Sequence, residues 1–218
     1  MRYEIIKVCG MKYPENIKDV VNLDINWMGM IFYDKSPRCV GDDAIAALPY
    51  TDKVKKVGVF VDDTAQNIIT AVERYGLDMI QMHGDESSIF IRNMRKTLDP
   101  EIKIIKAISV RTADDIARCM DYEDCVDYFL FDTKCDSKGG SGKTFDWEIL
   151  KVYNGDVPFL ISGGIGAEQL EALADFHHPQ CIGIDLNSRF EISPGMKDVS
   201  RLREFIANIR MINTNKNI

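Results

Sequence analysis

The sequence predicts a single (β/α)8 barrel, the TIM-barrel architecture, over residues 1–213, with residues 214–218 as a frayed polar tail. Three observations predict it. Eight short β-branched runs start at residues 5, 27, 56, 79, 103, 128, 158 and 181, so successive starts lie 22 to 30 residues apart. Segments with helical periodicity lie between the runs. Polar, reactive and glycine residues gather at the C-terminal ends of the runs, where a core strand has no structural need of them and where barrels of this class place their active sites.

In order, the runs are IIKVCG (5–10), WMGMIF (27–32), KVGVFV (56–61), MIQMHG (79–84), KIIKAISV (103–110), YFLFDT (128–133), PFLISGG (158–164) and CIGIDLNS (181–188). Between the third and fourth, AQNIITAVERYG sets Ala65, Ile68, Ile69 and Val72 on one helical face, and Gly76 can end that helix. AEQLEALADF does the same with Leu170, Leu173 and Ala174, and SRLREFIANIRMI with Leu202, Phe205, Ile206 and Ile209. Strand–helix alternation implies parallel strands joined by crossover helices. A doubly wound open sheet is the alternative, but it usually needs fewer strands.

At 218 residues, 45% of them hydrophobic, the chain can bury a sizeable core without metal or disulfide staples. A net charge of −7 argues against nucleic-acid and anionic-membrane partners, while a few local donors can still hold one phosphate. The six cysteines (Cys9, Cys39, Cys119, Cys125, Cys135 and Cys181) form no C-x-x-C pair and no zinc spacing, so they are expected to be free thiols in a reducing compartment. MRYEIIKVCG lacks the features of a signal peptide and no run reaches the ~18 apolar residues of a membrane span. A cytoplasmic protein is expected. The apolar helix positions leave monomer and dimer equally open.

Two glycine-rich stretches compete as phosphate sites. KGGSGKT (138–144) ends like a P-loop, but the first glycine of G-x-x-x-x-G-K-[ST] falls on Ser137. The stretch does match the K-G-G-x-G-K-T variant of partitioning-type ATPases. That loop, however, normally follows the first strand of its domain, and this one follows the sixth. A loop closing over bound substrate, with Lys143 approaching it, fits better; an ATP-binding module and a ligand-free surface loop are the alternatives. The second stretch is Ser162-Gly163-Gly164 with Ile165-Gly166, facing Asn187-Ser188 at the end of the eighth run. Loops after strands seven and eight of a barrel often hold phosphate through backbone N–H groups and a short helix N-terminus. The simpler alternative is a tight turn.

Several segments together resemble the phosphoribosylanthranilate isomerase family. They are KVCG (7–10), FYDKSPRCV (32–40), VGVFVD (57–62), QMHGDE (81–86), FDTK (131–134), GGSGKTFDW (139–147), ISGG (161–164) and SPGMKD (193–198), in family order through nearly the whole chain. The resemblance implies an Amadori rearrangement of a sugar phosphate, an aminoaldose becoming an aminoketose, with no metal or other cofactor. It implies Asp132 as general acid, with a raised pKa, and Cys9 as general base, with Lys7 on the same side of its strand favouring the thiolate. Arg38 matches the arginine that pairs with the anthranilate carboxylate. Lys7, His83, Gly142, Gly163, Gly164, Asp185 and Ser188 complete the implied substrate-binding set.

The chain departs from the family's D-V-S-S-G-V-E after the eighth strand: residues 185–191 read Asp-Leu-Asn-Ser-Arg-Phe-Glu. Asn187 replaces a serine and Arg189 a glycine, which puts the backbone geometry of that loop in question. Arg189 is expected to point to solvent. His177 and His178 are expected to be structural or solvated. Another phosphosugar barrel enzyme, such as a pentose-phosphate epimerase, is the alternative function.

Overall fold

The computed structural model describes residues 3–41, 53–133 and 147–214, with side chains for all of these but residues 133, 213 and 214. Eight parallel strands close into a barrel in sequence order. They are β1 (Ile5–Val8), β2 (Trp27–Ile31), β3 (Lys55–Phe60), β4 (Met79–Met82), β5 (Lys103–Val110), β6 (Tyr128–Thr133), β7 (Phe159–Ser162) and β8 (Cys181–Leu186). All eight coincide with the β-branched runs. β1 and β8 close the ring in parallel register, with Lys7 opposite Asp185.

Helices α1 (Pro14–Val21), α2 (Ala65–Tyr75), α3 (Ser88–Thr97), α4 (Ala113–Ala117), α5 (Leu170–Asp175) and α6 (Val199–Thr214) lie outside the strands. Local chemistry sets their ends. Pro14 opens α1, where its missing N–H costs nothing. The Thr64 and Ser87 side chains accept from the backbone N–H groups of Asn67 and Phe90, capping α2 and α3. Gly76 ends α2 at φ +57°, as its position suggests. On α2, Ile68 is fully buried, and Ala71 and Tyr75 are buried with it; Ala65, Ile69 and Val72 only flank that face. Leu202, Phe205, Ile206 and Ile209 of α6 are all buried. The chain from β6 to β7 ends in a 3-10 segment, Trp147–Val152. Residues 215–218 of the expected tail lie outside the described residues.

Period-two alternation divides the core. One set of strand side chains, including Ile6, Val8, Met28, Phe131 and Ile161, packs outward against the helices. The other set fills the barrel: Trp27, Val57, Met79, Ile105, Ala107, Leu130 and Leu160. Further toward the C-terminal ends the inward positions change character. Ile5 is followed by Lys7 and Cys9, Met79 by Gln81 and His83, Leu130 by Asp132, and Leu160 by Ser162. The apolar lower layers thus support a polar, reactive upper layer.

The sequence does not suggest a small antiparallel hairpin, β9 (Glu191–Ser193) and β10 (Met196–Lys197), which lies between β8 and α6. Gly195 turns it at φ +85°. It brings Glu191 and Lys197 to the barrel mouth.

Candidate active site

The C-terminal end of the barrel opens into a cavity of about 470 Å³. Cys9, His83, Asp132, Gly163, Gly164, Asp185 and Ser188 all border it, as do Gln81, Asn187 and Arg189. Residues from β1, β4, β6, β7 and β8 therefore meet in one space. Gly142 and Lys143, with the whole KGGSGKT stretch, lie outside the described residues.

Cys9 is 4% exposed. It fits because the facing position on β2 is Gly29: a β-carbon there would lie 2.7 Å from Cys9 Sγ. Burial pushes the thiol above its ordinary pKa; the Lys7 ammonium pulls it back, Asp185 raises it, and Lys197 lowers it. Lys7 therefore acts on Cys9 in the direction expected, but burial outweighs it.

Lys7 itself is fully buried and does not border the cavity. Its Nζ donates to Asp185 Oδ1 at 2.9 Å, and Ser162 Oγ donates to Asp185 Oδ2 at 3.3 Å. Of this pair, only Asp185 reaches the cavity wall.

Asp132, at the end of β6, has a side chain 17% exposed, and its Oδ2 lies 3.6 Å from His83 Nε2. His83 Nδ1 lies 2.7 Å from Gln81 Nε2. The loop that carries His83 is braced from below. Glu86 Oε1 accepts from the N–H groups of Asp62 and Gly84, while Glu86 Oε2 and the Gly84 carbonyl both accept from buried Lys106 Nζ. A β-carbon on Gly84 would collide with the Asp62 side chain, so that position must be glycine.

Arg38 does not border the cavity. Its Nε donates to Glu191 Oε1 at 2.9 Å and its Nη2 to Glu191 Oε2 at 2.6 Å. Lys197 Nζ also donates to Glu191 Oε1, and to Asn187 Oδ1, at 2.8 Å each. The Glu191 side chain is largely enclosed, which by itself would raise its pKa, but its bonds to Arg38, Lys197 and the Gly195 N–H bring it down to about 2. The guanidinium stands beside Gly10, where a β-carbon would lie 2.9 Å from Arg38 Cδ.

On the far side, Gly163 and Gly164 adopt φ values of +102° and +66°. Among the described residues nothing crowds Gly164, and its φ is what calls for glycine. Ser188 opens a one-turn 3-10 segment, Ser188–Phe190, opposite them. The Gly166 N–H is taken by Gln169 Oε1 at 2.7 Å, which removes it as an anion donor. Arg189 does not require a glycine's backbone: Asp62 is the only non-glycine with positive φ among the described residues. Arg189 is 55% exposed but borders the cavity, with Nη1 3.6 Å from Glu168 Oε1, so the expectation that it points to solvent holds only in part. His178, half-buried, contacts the Tyr153 carbonyl, away from the cavity.

Sequence reasoning does not single out Gln81, Gly29, Glu191 or Lys197 as site residues. A glycine inside a strand and a polar residue two before His83 are signals for the first two. Nothing local marks the hairpin pair.

Comparison with known proteins places this geometry. The family model of N-(5'-phosphoribosyl)anthranilate (PRA) isomerase matches residues 6–208. The chain is 47% identical over 209 residues to the N-(5'-phosphoribosyl)anthranilate isomerase of Parabacteroides distasonis, covering 94% of this chain and 93% of that protein. The crystal structure of phosphoribosyl anthranilate isomerase from Thermotoga maritima superposes with a TM-score of 0.81 at 30% identity, covering 95% and 98% of the two chains. A second structure of this enzyme, in complex with reduced 1-(o-carboxyphenylamino)-1-deoxyribulose 5-phosphate, gives 0.77 at 26% identity with the same coverage.

Proposed function

The chain belongs to the N-(5'-phosphoribosyl)anthranilate isomerase family, and on that footing we propose that Asp132 and Cys9 carry out its acid–base chemistry. The substrate is N-(5'-phosphoribosyl)anthranilate and the product 1-(2-carboxyphenylamino)-1-deoxyribulose 5-phosphate. The observation that carries this assignment is that a carboxyl group on β6 and a thiol on β1 border one cavity from different sides.

The reaction divides into four proton movements. Asp132 protonates the furanose ring oxygen. The C1′–O bond then breaks as the nitrogen lone pair forms the C1′=N bond of a Schiff base. The Cys9 thiolate removes the C2′ proton, and the electron pair left behind forms a C1′=C2′ double bond while the nitrogen regains its lone pair. Protonation at C1′ and loss of the O2′ proton give the ketone, with no net change in composition. The phosphate lies against Gly163, Gly164 and Ser188, where left-handed glycines let backbone N–H groups approach the oxygens. Arg38 takes the anthranilate carboxylate through the edge of its guanidinium that Glu191 leaves uncovered.

Burial holds the Cys9 thiol above its ordinary pKa, and the Lys7 and Lys197 ammonium groups are the charges that favour its thiolate. The cytoplasm is the compartment this activity implies. It suits a site built on a free thiol, and Cys9, Cys39, Cys119 and Cys125 are free thiols. Among the described residues, no helix is long and apolar enough to cross a membrane.

The test is direct. Phosphoribosylanthranilate generated in place is followed by its fluorescence as it is consumed. Cys9→Ala and Asp132→Asn should each lower kcat by about 10²–10⁴-fold with the fold intact by circular dichroism. Near-wild-type turnover in either variant would remove that residue from its assigned role.

A further inference from the structure

Gln81 is polar, 1% exposed and set in the wall of the cavity, two residues before His83 on the same inward face of β4. The two ends of its amide are in different situations. Nε2 lies 2.7 Å from His83 Nδ1, while Oε1 is buried with no hydrogen-bond partner among the described residues. An orphaned buried acceptor is costly, since it has given up its water. An amide that leaves one end unpaired at that cost is held in place by what its other end does.

We propose that Gln81 is a positioning residue that fixes the proton of His83. Its amide N–H donates to Nδ1, so the lone pair of the neutral imidazole lies there and the ring proton lies on Nε2. That N–H is directed at Asp132 Oδ2, 3.6 Å away. The consequence for chemistry rests on the isomerase assignment above. When Asp132 gives its proton to the ring oxygen it becomes a carboxylate, and the Nε2–H is already aimed at the charge that develops. Because Oδ2 faces His83, the transferred proton belongs on Oδ1. An amide turned end for end would instead require the Nδ1–H tautomer and would present a bare Nε2 to Asp132. The tautomer therefore reports the orientation of the amide.

The surroundings make His83 a readable group. Asp132 from β6, Asp185 from β8, Cys9, Tyr33 and Arg189 are the titratable side chains that share the cavity with it. Asp62, Glu86 and Lys106 below it are engaged with one another's loops. The full chain has only two other histidines, His177 and His178.

Long-range 1H–15N correlation spectra of the 15N-labelled full chain decide the point without any assay. At neutral pH His83 should show a protonated Nε2 and an unprotonated Nδ1; an Nδ1–H tautomer overturns the proposal. Two variants extend it. In Gln81→Glu the carboxylate accepts from Nδ1–H, so His83 should show a protonated Nδ1. In Gln81→Leu both tautomers should appear. In each, kcat on phosphoribosylanthranilate should fall by about tenfold or more while KM changes less than about threefold, because the lost interaction acts on the proton transfer. Wild-type kcat in both variants overturns the positioning role. If the wild-type chain shows the expected tautomer but does not turn over phosphoribosylanthranilate, the substrate assignment fails and the His83 assignment stands.

Discussion

Gly29 shows how the site depends on a residue with no chemistry of its own. Its missing side chain is the space that the Cys9 thiol occupies, since a β-carbon at this position would lie only 2.7 Å from Sγ. Gly29→Ala should destabilise the protein by about 1–3 kcal/mol through overpacking, measured as a lower urea midpoint, and should lower kcat because the thiol is displaced. A variant with wild-type kcat would show that the thiol's position is not critical. Cys9, His83 and Asp132 are visible in the sequence as reactive residues at strand ends, and all three border the cavity, but position alone does not assign their roles, which come from the family resemblance. Gly29 and Gln81 were not legible, because a glycine and an amide inside a strand look like backbone and packing choices until the opposite wall is known. Lys7 was legible in direction but not in depth. Period two places it on the side of Cys9, yet one layer lower, where it meets Asp185 and not the cavity.

Among the elements, the eight strands were readable because each is a β-branched run buried on both faces, as parallel strands are. The β9–β10 hairpin was not, because strands of three and two residues carry no periodicity. That hairpin nonetheless positions Arg38. Glu191 grips the Nε side of the guanidinium and is itself gripped by Lys197 and the Gly195 N–H. Glu191→Gln should therefore loosen Arg38 and raise KM for phosphoribosylanthranilate more than it lowers kcat. It should also change the acid stability in a defined direction. The folded-state pKa of Glu191, about 2, lies below its ordinary 4.5. The carboxylate's stabilisation, at most about 3 kcal/mol, is thus fully present above pH ~4.5 and disappears as pH falls through the folded value. Urea titrations should show wild type and variant far apart at pH 6 and converging toward pH 2. A constant gap across that range would mean that the charge is not what holds the hairpin.

For the molecule as a whole, the closure of the barrel and the electrostatics around Cys9 are one structure. β1 and β8 are the first and last strands of the ring, and Lys7 and Asp185 meet in register across their seam as a buried ion pair at 2.9 Å. The same two charges act on Cys9 with opposite sign. Removing one partner leaves the other charge buried with its main partner gone, so Lys7→Met should cost about 3–5 kcal/mol in urea unfolding. Replacing both, Lys7→Met with Asp185→Leu, should recover most of that stability, since an apolar pair of similar volume needs no desolvation. Turnover should not recover with it. Without Lys7 the thiolate of Cys9 loses the strongest of the charges that favour it, and without Asp185 the Ser162 hydroxyl loses its acceptor at the cavity wall. A double variant as unstable as the single one would assign the cost to packing at the seam. A double variant that is both stable and fully active would show that closing the barrel, and not poising the thiol, is the whole purpose of the pair.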